Sequence, residues 1–225
     1  MQTLDFLAED ILSRPRTVTI AVEDPRIKPV LVKIIVEELL KSGELYYFDY
    51  DLQFSSYLQN ISVNEYTVLE SRGLTVIEPD NAVLDLINSF EHPGELRKGG
   101  TFILDSINSL QSILSNNTSL QRAKLANYKS SILVSFLQLV ARTFSKSVVI
   151  FDYTKSRRKP QQDGSISWEK ELVGGRMIRY KSDMILFASR ETQEISGNSD
   201  RRKGTLILEE SDPDEGSKAY SVQIL

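Results

Sequence analysis

The sequence predicts an α/β protein: a mainly parallel twisted sheet flanked by helices, with an antiparallel C-terminal edge. Three observations predict it. Short apolar runs alternate with helical patterns up to residue 151, which is the signature of strand–helix crossovers onto a parallel sheet. The last third instead carries apolar runs at 184–188, 204–209 and 218–225 joined by polar turns, as antiparallel edge strands do. At 225 residues the chain can bury a substantial core as one domain, taken here as residues 1–225.

The elements follow in order. TVTIAV at 17–22 reads as a buried strand, and LVKIIVEELLKS at 31–42 as the amphipathic helix after it. Gly43 makes a turn into ELYYFD, a second strand at 44–49, and 54–65 holds a short helix. LTVIE at 74–78 is a third strand; Val83, Leu84, Leu86, Ile87 and Phe90 have helical spacing over 81–90. Gly99 and Gly100 introduce a fourth strand, TFILD at 101–105. A helix over about 120–144, apolar at Leu133, Phe136, Leu137 and Val140, then delivers the chain to SVVIF at 147–151. Two polar, glycine-bearing stretches, 154–175 and 192–203, read as mobile loops. The aromatics Tyr46, Tyr47, Phe48, Tyr50, Phe54 and Tyr57 read as core, and His92 as a turn residue.

Composition narrows the chemistry. With 27 basic against 31 acidic residues and a formal charge of −4, nucleic-acid binding would have to come from a local patch. No cysteine and a single histidine argue against thiolate chemistry and a histidine-based metal site. No metal is expected, and no cofactor, given the connection that follows the first strand. The first residues mix acids with apolar groups, so no secretory leader is expected, and no window approaches a membrane span. A cytoplasmic location, nuclear in a eukaryote, is expected.

The connection between the first strand and its helix is Glu23-Asp24-Pro25-Arg26-Ile27-Lys28-Pro29-Val30. This is where a phosphate loop belongs. A phosphate cradle needs glycines so that consecutive N–H groups converge, then a Lys on the phosphates and a Ser or Thr on magnesium. This segment has no glycine, two prolines that each remove a donor, and two acids that repel a triphosphate.

Four segments nonetheless carry a resemblance. LYYFDYDLQFSSYL at 45–58 resembles the second strand of the RecA/RadA recombinase and KaiC superfamily, with Asp51 as a shortened version of the acid that polarises the attacking water. GTFILDSINSL at 100–110 is similar to the magnesium-site strand, ending in Asp105-Ser106. VVIFDY at 148–153 stands where the family has a strand ending in Asn-Gln, and Asp152-Tyr153 departs from that pair. Gly174-Gly175, followed by Ser182-Asp183 and an apolar run, looks like the stretch after the family's second DNA-binding loop, and 212–216 like the turn before its last strand. The likeness spans nearly the whole chain and implies a RecA-like fold, with 154–173 as the DNA-binding loop. Departures accompany it: residues 8–16 hold no glycine-rich element, and Lys28 or Pro29 falls at the catalytic lysine, depending on a one-residue register.

Lys28, Asp51 and Asp105 are therefore the candidates for a vestigial nucleotide site, and no catalytic residue is assigned. Read from the residues alone, Lys28 is most simply a solvated loop residue and Asp105 a relic that caps the following turn. Lys155, Arg157, Arg158 and Lys159, with Arg176, Arg179 and Lys181 beyond the glycine pair, surround one loop, and Trp168 offers a stacking face: a footing for single-stranded DNA. Asp163, Glu169 and Glu171 dilute that field. The resemblance implies a non-catalytic recombinase paralogue or accessory factor in homologous recombination and repair, binding single-stranded DNA and a recombinase or fellow paralogue. Two alternatives stay open: an ATPase-silent scaffold subunit of a RecA-like ring, in signalling, motility or tRNA modification, and an atypical nucleotidase using Lys28, Asp51 and Asp105.

Overall fold

The computed structural model describes residues 2–3, 7, 9–11, 14–41, 43–60, 69, 73–77, 100–115, 120–161, 165–193, 203–210 and 219–224. Among these, ten strands form the sheet: β1 (Gln2–Thr3), β2 (Thr17–Val22), β3 (Leu45–Asp49), β4 (Leu74–Ile77), β5 (Thr101–Asp105), β6 (Ser147–Pro160), β7 (Ile166–Leu172), β8 (Met184–Gln193), β9 (Lys203–Glu210) and β10 (Ala219–Ile224). Their order is β1-β10-β9-β8-β2-β6-β5-β3-β4, with β7 paired to β6 alone. From β8 through β4 every pairing is parallel, while β8, β9 and β10 pair antiparallel. The expected parallel sheet with an antiparallel edge is thus observed.

The helices are α1 (Lys28–Leu40), α2 (Gln53–Asn60), α3 (Ile107–Ser115), α4 (Leu120–Thr143) and α5 (Gly175–Lys181). Two apolar clusters cover the sheet. The first packs Leu31, Val32, Ile35, Val36 and Leu39 of α1 onto Val18, Ile20, Val22 and Phe151. The second sets Ile107, Leu133, Val134, Leu137 and Ile178 against Phe102, Leu104, Val148 and Ile150. Central strands buried on both faces are why β2 and β5 read as continuous rather than alternating apolar runs. Tyr47, Phe48, Tyr50 and Phe54 lie in the core as expected.

Two elements differ from the sequence reading. Helix α1 begins three residues earlier, at Lys28, because Asp24 caps a 3-10 turn over Pro25–Ile27 by accepting from the Arg26 N–H at 3.0 Å. Pro29 costs nothing in that first turn, where its missing donor has no helical acceptor. The second difference is larger: most of 154–175, expected as a structureless loop, is a β-hairpin. Strand β6 runs out of the core to Pro160 and pairs antiparallel with β7, from Thr154 opposite Leu172 to Pro160 opposite Ile166. Alternating charged residues of opposite sign face one another across it, so the polar composition that suggested a loop is that of a two-sided solvated ribbon. The expected helix at 81–90, His92, and the turns at 194–202 and 211–218 lie outside the described residues.

Candidate functional site

The carboxyl ends of β3 and β5 and the mid-strand residue Tyr153 of β6 meet beside the first turn of α1. In a parallel sheet this edge is where ligand sites form, since loops there open onto a crevice. Here the crevice is filled by the protein's own charges. Lys28, expected to be solvated, is 1 % exposed, and its Nζ ion-pairs with both Asp51 Oδ2 and Asp105 Oδ1. The sequence reading of Lys28 as a loop residue is therefore corrected: α1 starts at this residue and aims its side chain across the sheet edge. Asp105 does not cap the following turn either. Its carboxylate meets Lys28 and accepts from the Tyr47 hydroxyl, while Ser106 Oγ accepts from the Ser109 N–H at 3.4 Å.

Three further side chains complete the cluster: Ser106, quoted only as part of a motif, Ser109, which the sequence reading did not mark, and Tyr153, noted only as a departure. Ser106 donates to Asp51 Oδ1 at 2.8 Å, Ser109 donates to the same atom, and Tyr153 donates to Asp51 Oδ2 at 3.2 Å. The Tyr153 ring also lies 5.2 Å from Lys28 Nζ, a cation–π distance. Backbone fixes the acids: the N–H groups of Tyr50 and Asp51 both donate to Asp105 O, at 2.6 and 3.2 Å. Asp49, also buried, accepts from the Ser55 N–H at 2.6 Å and so anchors the start of α2.

Electrostatics follow from burial and pairing. Burial opposes the Lys28 charge, but Asp105 and Asp51 outweigh it and hold the ammonium above its ordinary range. For Asp51, burial is outweighed by Lys28 and the two serines, and its carboxyl sits below the usual range. Asp105 is deeper, and burial, with Asp51 beside it, pushes it up to about 6. The cluster is a sealed internal ion triad. A cavity of about 10 Å³ beside it, bounded by Pro29, Val32, Gln53, Phe54 and Asp105, is too small for a nucleotide.

The segment that carries the glycine pair is explained by packing. Gly174 donates its N–H to Asp152 Oδ2 at 3.0 Å, and a Cβ there would sit 2.9–3.0 Å from Ile178, Asp152 and Ile107. Asp152, pushed up to about 6 by burial, also accepts from the Tyr153 N–H at 2.8 Å, so it ties both ends of the hairpin to the sheet. Asp183 accepts from the Thr17 N–H at 2.7 Å, and Ser182 and Thr19 hydroxyls meet at 2.6 Å, fastening β8 beside β2.

Beyond that base, the hairpin and α5 border a cavity of about 740 Å³ lined by Lys155, Arg157, Lys159, Lys170, Arg176 and Arg179, and among the described residues its acids are Glu169 and Glu171. The predicted DNA-contacting residues are divided by the ribbon. Lys155, Arg157 and Lys159 share a face with their cross-strand neighbours Glu171, Glu169 and Ser167; Arg158 and Trp168 oppose one another on the other face. Arg157 pairs with Glu171 at 3.0 Å and Lys159 with Glu169 at 2.5 Å. Lys170 reaches back to Glu23. Arg158 lies 5.0 Å over the Trp168 ring, so one side of that stacking face is already used. Among the described residues, Lys155, Arg176 and Arg179 make no ion pair.

No protein-family model matches the chain, and no curated protein matches it. Among the described residues no helix is long and apolar enough to cross a membrane, and no group of three His, Cys, Asp or Glu is arranged to hold a metal.

Proposed function

We propose that the chain is a RecA-like subunit that works by binding DNA and protein and not by ATP hydrolysis: a non-catalytic recombinase paralogue that holds single-stranded DNA in the cavity between the β6–β7 hairpin and α5, and docks a recombinase or fellow paralogue. The observation that carries the reading is the six-to-two excess of cations over carboxylates among the described residues around that cavity, in a protein whose overall charge is −4. A phosphate backbone complements such a surface without base readout. Further support comes from the sheet edge. The segments that carry the RecA resemblance at β3, β5 and β6 meet at one place, where Lys28 ties up the two acids that hydrolysis would need. The pairing of Arg157 and Lys159 with hairpin glutamates favours the second reading, a scaffold subunit that uses these surfaces to hold neighbours.

Fluorescence anisotropy with labelled single-stranded and duplex oligonucleotides across a salt titration separates the two. Micromolar binding that favours single strands, weakens with salt, and is lost in Arg176→Glu/Arg179→Glu and in Arg157→Glu/Arg158→Glu/Lys159→Glu supports the DNA reading. Flat anisotropy at low salt discards it.

A further inference from the structure

Helix α4 is apolar on two faces, and the fold covers one of them. Leu133, Val134, Leu137 and Ala141 are buried in the second core cluster. On the opposite side Leu125, Tyr128, Ile132 and Leu139 are 50, 65, 49 and 64 % exposed. At 3.6 residues per turn these four fall within a strip about 60° wide. Their spacing of three, four and seven is that of the a and d positions of a helix seam. Ser135, the intervening d position, accepts from Lys181 Nζ, which fixes the strip beside α5.

Charge narrows what covers it. From Leu120 to Thr143 the helix has no acidic residue, and exposed Lys124 and Lys129 flank the strip at g and e. Two copies paired in parallel would set Lys124 against Lys129, and antiparallel copies would leave both lysines with no acid to face, so self-association along this seam is opposed. A lipid surface calls for a broad apolar face, whereas the exposed strip is narrow, with Lys124 and Ser131 on one side and Lys129 on the other. We infer that the exposed strip of α4 docks an amphipathic helix of a protein partner whose own apolar seam is flanked by glutamate or aspartate. The surface is separate from the cationic cavity and stands whether or not DNA binds there.

The test uses the full chain and two labelled 21-residue synthetic helices with leucine at a and d, one with glutamate and one with lysine at e and g. Anisotropy is expected to show at least tenfold tighter binding of the glutamate peptide, loss of that binding in Ile132→Glu, and reversal of the preference in Lys124→Glu/Lys129→Glu. All three substituted side chains are exposed, so circular dichroism should be unchanged in each variant. Binding of neither peptide overturns the inference, as does equal binding that survives Ile132→Glu. Sedimentation of the chain with phosphatidylserine vesicles, or a dimer in ultracentrifugation lost in Ile132→Glu, assigns the strip to lipid or to a second copy and overturns it too.

Discussion

The inner and outer halves of β6 set the same chemistry in opposite surroundings. Residues 147–152 of this strand are buried and 155–160 are exposed. At the junction, Tyr153 touches the sealed triad of Lys28, Asp51 and Asp105; a few residues on, Arg157 and Lys159 pair with glutamates in water. The number of pairs is similar and the energetics are not. A charge inside the protein cannot recover hydration when its partner is removed, so the inner cluster is held together as a unit. The outer pairs trade readily with water and with any stronger anion, contributing little to stability and leaving their cations available.

The inner cluster is most vulnerable at Lys28. Lys28→Met leaves two buried carboxylates facing each other, and urea denaturation at pH 7 is expected to show a loss of about 3–5 kcal/mol. That loss should already shrink as pH falls through about 6, since Asp105 sits there even with Lys28 beside it and rises further without it. In the wild type the ammonium is held above its ordinary value of 10.5, so its contribution is complete below that pH and is lost only as pH rises beyond it. An unchanged urea midpoint in Lys28→Met would mean that the triad is not sealed.

Asp152 gives the next largest effect. Its pKa is raised from 3.8 to about 6 in the fold, so ionisation opposes folding: stability falls as pH rises from about 4 to 6 and is level above. Asp152→Asn should therefore be more stable than wild type by about 1–2 kcal/mol at pH 8, with no gain at pH 3.5. Thermal unfolding across that range reads the crossing; an equal effect at both pH values would assign the change to lost hydrogen bonds with Gly174 and Tyr153.

The smallest stability effect belongs to the hairpin. Glu169→Gln/Glu171→Gln should move stability by less than about 1 kcal/mol. The same change frees Arg157 and Lys159, so single-stranded DNA should bind several-fold tighter with a steeper salt dependence. Unaltered affinity would remove these two cations from the proposed interface.

Much of this was legible in the sequence. Apolar runs placed β2, β3 and β5 to within a residue and the start of β6 but not its extension to Pro160, and Asp105 after TFIL marked a strand ending in an acid. What the sequence reading missed is instructive. Lys28 looked solvated because it stands between an isoleucine and a proline in a polar connection; its burial depends on two acids 23 and 77 residues away. Tyr47 looked like one more core aromatic, and its hydroxyl turned out to face Asp105. For the hairpin the cue was present but unread: basic residues at 155, 157 and 159 alternate on a two-residue period and are answered by Glu169 and Glu171.

By itself the sequence determined the parallel α/β architecture, the antiparallel edge, and the absence of a glycine cradle for phosphate. These are local matters, fixed by side-chain period and by the conformations that glycine and proline permit. Only the tertiary structure decided where the charges go. Whether a lysine is a solvated tip or an internal counter-ion depends on which strand ends the sheet order brings beside it and on whether water is excluded there. That order, β2 beside β6, β6 beside β5 and β5 beside β3, is set by the packing of two apolar clusters on opposite faces of the sheet.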